Sequence, residues 1–168
     1  MTTSNTGTRT AIVRLRRSHR FSAPEPKDFT ISEYTEKYRR GYWKLPFIQR
    51  NKDTWPDDHY RELIESIFNN IVTSPFIGSK HSARDVKLLD GGHRTEAIFR
   101  FLKDRFPITC PVTGEDRKYS ELCDDVRADF MDMDLHFLIY KDLTPLEEEF
   151  LYFKINNSLP FTTGEIVN

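Results

Sequence analysis

The stretch VKLLDGGHRTEAIFRFL, residues 86–102, passes from an apolar run through an Asp-Gly-Gly turn directly into an amphipathic helix. Gly91 and Gly92 permit positive φ and close approach of another backbone or a ligand. The first helical turn offers unpaired N–H groups and a positive dipole end, so the corner is suited to an anion. Ala97, Ile98, Phe101 and Leu102 form one stripe, and at about 100° per residue Arg94 falls inside the same apolar arc. Arg94 is therefore expected to point inward. A guanidinium aimed at the core needs a carboxylate or a phosphate, because burying it unpaired is costly. Asp90, four residues upstream, is placed to orient it, and His93 is able to exchange a proton near neutral pH.

Composition bounds what the corner can belong to. The chain has 168 residues, enough for one domain with a buried core, and its formal net charge of −1 excludes a generally basic nucleic-acid coat. No apolar run reaches the roughly 20 residues that span a bilayer, so no membrane association is expected. Cys110 and Cys123 have neither CxxC nor Cys/His metal spacing. Reduced thiols and an intracellular location, cytoplasmic or nuclear rather than secreted, are the expectation, with no metal site.

Upstream of the corner, residues 1–10 are rich in Thr, Ser, Asn and Gly, and the basic run that follows carries Arg14, Arg16, Arg17 and Arg20. It reads as a solvated tail or as an arm that docks on something negative; an organelle transit peptide has a similar composition. Residues 22–27, with Pro24 and Pro26, read as a linker, giving an arm over 1–28 and a domain over 29–168. Thr30 and Glu33 form a capping box for a helix that Gly41 stops. Residues 42–45 suit a short strand. A helix starts at Trp55-Pro56-Asp57 with Leu63, Ile64, Ile67, Phe68 and Ile71 facing the core. Residues 73–76 read as extended and 78–85 as a polar loop.

Downstream, residues 107–118 read as an excursion loop and 119–130 as a short helical segment. Leu135 to Tyr140 alternates as a strand. Thr144-Pro145 with Glu147 begins a helix that buries Leu146, Phe150, Leu151 and Phe153 and breaks at Asn156-Asn157. Residues 161–166 look like the start of another. The pattern is α+β, with few strands and no internal repeat.

Four separated motifs carry a family resemblance: Leu45-Pro46 to Gln49-Arg50; Trp55 with the Leu63-Ile64-x-Ser66-Ile67 helix; Leu89-Asp90-Gly91-x-His93-Arg94; and Phe153-x-Ile155-Asn156-Asn157 through Glu165-Ile166. In this order and spacing the chain resembles, from about residue 29 onward, the N-terminal domain of the GmrSD-type modification-dependent restriction enzymes, within the ParB/sulfiredoxin-like superfamily. The resemblance implies a small mixed sheet packed with helices and a pocket lined by the Asp-Gly-x-x-Arg turn. It implies nucleotide binding or hydrolysis and the sensing of modified DNA, in defence or genome maintenance. Gly92 stands where relatives usually carry Gln, and His93 replaces a commoner second Gln. No His-Asn-His-type nuclease follows, so DNA cleavage by this chain alone is not expected.

Carried over by position, Asp90, His93 and Arg94 are the candidate catalytic residues, and Gln49, Arg50, Gly91, Gly92, Arg94 and Asn156 the candidate phosphate or ligand contacts. Asp90 suits a metal or an oriented water, and Arg94 with the helix N-terminus suits developing phosphate charge. The implied cofactor is a nucleoside triphosphate with magnesium, although no GxxxxGK[ST] loop is present. Arg14, Arg16, Arg17 and Arg20 are the candidate nucleic-acid arm. Two functions stay open: a nucleotide- or phosphate-binding module that senses or binds nucleic acid, with or without weak hydrolysis, or a catalytically reduced copy serving as a structural or interaction subunit in a larger viral or nucleoprotein assembly. The partners expected are a nucleotide or nucleic acid in the first case and protein in the second.

Overall fold

A computed structural model of the chain describes residues 20–45, 55–71 and 73–156. In chain order these form β1 (Glu25–Thr30), α1 (Ile31–Arg39), β2 (Trp43–Lys44), α2 (Asp57–Phe68), β3 (Phe76–Ser82), β4 (Asp85–Asp90), α3 (Gly92–Leu102), β5 (Ile108–Thr109), β6 (Asp116–Arg117), α4 (Asp124–Asp132), β7 (Asp134–Lys141) and α5 (Pro145–Asn156). The α+β class holds.

Five strands make one mixed sheet in the order β1-β7-β3-β4-β2, and β5 and β6 make a separate hairpin. β7 runs parallel to β3 and β2 parallel to β4, while β1–β7 and β3–β4 are antiparallel. One face carries Phe76, Val86, Leu88, Leu135, Phe137 and Ile139 into the main core, where they meet side chains from α1 to α4 such as Tyr34, Ile64, Ile98 and Phe130. The opposite face is covered by α5. There Leu89 joins Leu151 and Tyr152, with Ile77, Tyr140 and Ile155 packed around them.

Several elements form for the reasons read in the sequence. Both halves of the capping box at α1 are present: Glu33 N donates to Thr30 Oγ1 and Thr30 N to Glu33 Oε2, each at 3.1 Å. Gly41 follows the helix with φ +74°. At α5, Thr144 N donates to Glu147 Oε2 at 2.7 Å.

Other expectations are corrected. Residues 78–82 are strand rather than loop, because β3 is the central strand and both neighbours demand pairing. Gly78 faces the core, where a Cβ would lie 3.1 to 3.3 Å from Val86, Trp43 and Ile139. Glu25 to Lys27, expected within a linker, pair with Ile139 to Phe137. Pro26 is tolerated there because β1 is an edge strand, so its missing N–H leaves no ladder bond unmade. The excursion loop contains the β5–β6 hairpin, fixed to α2 by Arg61, which donates to Asp116 and to Thr109 Oγ1. Ile71 lies past the end of α2 and is exposed, and Phe153 is exposed while Tyr152 is buried in its place. Cys110 and Cys123 are both free thiols. Among the described residues no helix is long and apolar enough to cross a membrane.

Candidate functional site

Asp90 closes β4 opposite Ile77 of β3. Gly91 follows at φ +110°, and a Cβ there would sit 2.3 Å from Cδ1 of Phe76, so both backbone and space require glycine. Gly92 opens α3, whose first turn has no side-chain cap among the described residues. The first intrahelical bond runs from Thr95 N to Gly91 O at 2.9 Å, which leaves the N–H groups of Gly92, His93 and Arg94 without helical acceptors. The Thr95 hydroxyl also donates to Gly91 O, at 2.9 Å, and it lies 2.7 Å from the Tyr34 hydroxyl. With the threonine proton committed, Tyr34 is the donor in that pair. Burial pushes the Tyr34 pKa well above its ordinary value and keeps that donor in place.

Arg94 points inward, as its helical position required, and is nine-tenths buried. Nη2 donates to Asp90 Oδ2 at 2.8 Å and to the Pro75 carbonyl at 3.2 Å, and Nη1 donates to the Ser74 carbonyl. The guanidinium lies 4.5 Å from the centroid of the Phe76 ring. Burial pulls its pKa down, and the Asp90 carboxylate opposes that shift. Its negative companion is thus internal. Arg94 ties the end of β4 to the segment entering β3 and fixes the carboxylate of Asp90, whose side chain remains about one-third exposed.

His93 stacks on Trp55, with ring centroids 4.7 Å apart and planes 24° from parallel. Trp55 in turn leans on Tyr60 at 5.8 Å, joining the margin of the core. Asn156, at the last described turn of α5, donates through Nδ2 to Leu89 O at 2.9 Å and to Tyr152 O at 2.8 Å, one residue from Asp90. The structure therefore brings Asp90, Gly91, Gly92, His93, Arg94 and Asn156 to one end of β4. Gln49, Arg50, Arg14, Arg16 and Arg17 lie outside the described residues, as do Asn157 and Glu165. Arg20 is exposed, and the adjoining Phe21 stacks on Phe150 at 5.9 Å.

No family model matches the chain, and no curated protein does. A solved structure of ParB is similar. It is the C-terminally truncated chromosome-partitioning protein from Caulobacter crescentus, complexed with CTP-gamma-S, at 11% identity and a TM-score of 0.41. The match covers 79% of this chain and 52% of that one, so this chain spans about half the length of that structure.

Sequence reasoning missed Thr95, although a threonine four residues after Gly91 is the spacing at which a hydroxyl bonds back to a helical carbonyl. It also missed Glu148. This carboxylate, 5% exposed, reaches from α5 to Lys87 Nζ at 2.7 Å and to His81 Nε2. Burial pushes the Glu148 pKa up, but the Lys87 ammonium beside it outweighs burial and the net direction is down. A buried acid of this kind leaves no periodic signature in a helix that otherwise reads as exposed on that side.

Proposed function

We propose that the β4–α3 corner binds a phosphate group of a nucleotide, and that the chain is a nucleotide- or phosphate-binding module of the GmrSD N-terminal type that senses or binds nucleic acid. The observation that carries this reading is the first turn of α3, without a side-chain cap among the described residues, standing directly behind a left-handed Gly91, with Asp90 held beside it. Unpaired N–H groups and the dipole favour an anion at that point. In this reading the backbone N–H groups of Gly92 and His93 take the phosphate oxygens, and the His93 ring stands beside them as a further donor. Arg94, occupied within the fold, acts as a positioning residue for Asp90. Asn156, with Gln49 and Arg50 of the resemblance, supplies the polar margin.

Among the described residues no group of three or more His, Cys, Asp or Glu is arranged to hold a metal ion. Magnesium would accordingly arrive on the phosphates, with Asp90 beside it to bind it or to orient a water in any weak hydrolysis. The basic arm ahead of β1, with Arg14, Arg16, Arg17 and Arg20, would follow a nucleic-acid backbone.

A second reading has its own support. The satisfaction of Arg94 by Asp90, Ser74 and Pro75 favours a catalytically reduced copy that serves as a structural or interaction subunit in a larger viral or nucleoprotein assembly.

Calorimetric titration of the chain with ATP, GTP, CTP and UTP, each with magnesium, separates the two. Gly92→Asp is the informative variant. Among the described residues its Cβ would meet Leu45 at an ordinary 3.5 Å, and an acid in the first helical turn stabilises the helix while repelling a phosphate. The first reading expects at least one nucleotide to bind and Gly92→Asp to lose it with the melting temperature maintained. Absence of binding by the intact chain, or equal binding by the variant, overturns it in favour of the second.

A further inference from the structure

Basic side chains gather on the face of the sheet that α1 packs against, from the β1 edge at the level of Phe137 to the far end of β3. Lys80 and Lys141 are Cα partners in the parallel β3–β7 pair. Two residues before each stand Gly78 and Ile139, which face the main core, so by strand alternation Lys80 and Lys141 extend the same face. Lys27 of β1, opposite the core residue Phe137, does likewise, and its Nζ lies 5.1 Å from the centroid of Phe29. Lys37 of α1 reaches the same ring at 5.5 Å. Arg84, in the β3–β4 turn, lies over Tyr42 at 5.6 Å.

The acids nearby do not neutralise this group. Glu25 pairs with Lys141 at 2.7 Å, and the charges of Lys80 and Lys27 also lower its pKa after that partner. Among the described residues Lys27, Lys37, Lys80 and Arg84 have no salt bridge. A local surplus of this kind stands out in a chain whose formal net charge is −1. The cations run diagonally from Lys27 on β1, level with Phe76, through β7 and β3 to the turn into β4, three strand spacings or about 14 Å across and four residues or about 13 Å along the strands. A nucleic-acid strand rising about 3.4 Å per nucleotide covers that diagonal of about 19 Å in roughly six. Phe29 and Tyr42 are capped by cations, so the row offers charge and no free ring for stacking.

We propose that this row of Lys27, Lys37, Lys80 and Arg84 binds the phosphate backbone of nucleic acid, without reading sequence. It deepens the nucleic-acid half of the proposed function and rests on that half alone. The corner lies at the end of β4 and the nearest part of the row is on the edge strand β1, three strand spacings or about 14 Å away across the sheet, so each can fail without the other.

The test is fluorescence anisotropy of the full chain with a labelled 12-nucleotide single strand and a 12-base-pair duplex, over a salt series. Lys27→Glu with Lys80→Glu is expected to weaken the tighter of the two complexes at least tenfold. On a single strand the pair should flatten the slope of log affinity against log salt by about 1.4. Lys37→Glu should act in the same direction. A control pair with the same charge change, Lys103→Glu with Arg105→Glu, is expected to have a threefold effect at most. Unchanged binding in the first pair, an equal loss in the control, or binding by the intact chain to phosphatidylserine vesicles but to neither oligonucleotide overturns the inference. Nucleotide binding that survives Lys27→Glu/Lys80→Glu but not Gly92→Asp locates a failure in one site rather than the other.

Discussion

At Gly91 two demands coincide, a left-handed φ and the absence of a Cβ where Phe76 presses against the chain. Gly91→Ala is therefore expected to cost roughly 2 kcal/mol or more, read as a lowered urea midpoint. A midpoint within error of the parent would mean that Phe76 moves freely. Arg94→Ala removes one member of a mostly buried pair and strands two carbonyls, for an expected loss of about 3 kcal/mol. Arg94→Lys should recover less than half of it, since one ammonium cannot reach Asp90, Ser74 and Pro75 in the geometry of a guanidinium. Full rescue by Lys in a thermal melt would contradict the planar tie. The inward direction of Arg94 and its Asp90 partner were legible from helical spacing. The Ser74 and Pro75 carbonyls were not, since residues about twenty apart in sequence meet there only once β3 lies beside β4.

Between elements, the contact most sensitive to solution conditions is that of α5 with the sheet. Glu148 bonds Lys87 and His81, and its folded pKa lies below the ordinary 4.5. The stability it contributes is fully present above the ordinary value and is lost as pH falls through the lower folded one. Denaturant midpoints measured between pH 6 and 3 should therefore decline less steeply in Glu148→Gln, which starts from a lower stability at pH 6. Identical slopes would show that other carboxylates govern the acid limb. Among whole elements, α1, α3 and β7 were legible because caps and periodicity are local properties. β3 was not: Gly78, Ser79 and His81 look like a polar loop, and only the flanking strands and Glu148 make that segment a central strand. β1 was hidden by Pro26, whose tolerance depends on an edge that the sheet order alone creates. The β5–β6 hairpin depends on Arg61, which comes from α2, some fifty residues away.

Across the whole molecule, the sheet carries two kinds of surface, the corner at the end of β4 and the basic row that crosses from the β1 edge to the β3–β4 turn. The α+β class could be read from the alternation of patterns, but the order β1-β7-β3-β4-β2 could not, because it joins the first strand to the last. A ligand that binds the folded chain alone at a hundred times its Kd should raise stability by about 2.7 kcal/mol. The corner is tested most directly by following backbone amide resonances of the nitrogen-15-labelled chain during titration with each magnesium nucleoside triphosphate. The expected result is that Gly92 and His93 shift first and furthest with at least one nucleotide, with Thr95 and Asn156 following. Amides at Gly92 and His93 that stay fixed while every nucleotide is brought to millimolar concentration would contradict a phosphate site at the β4–α3 corner.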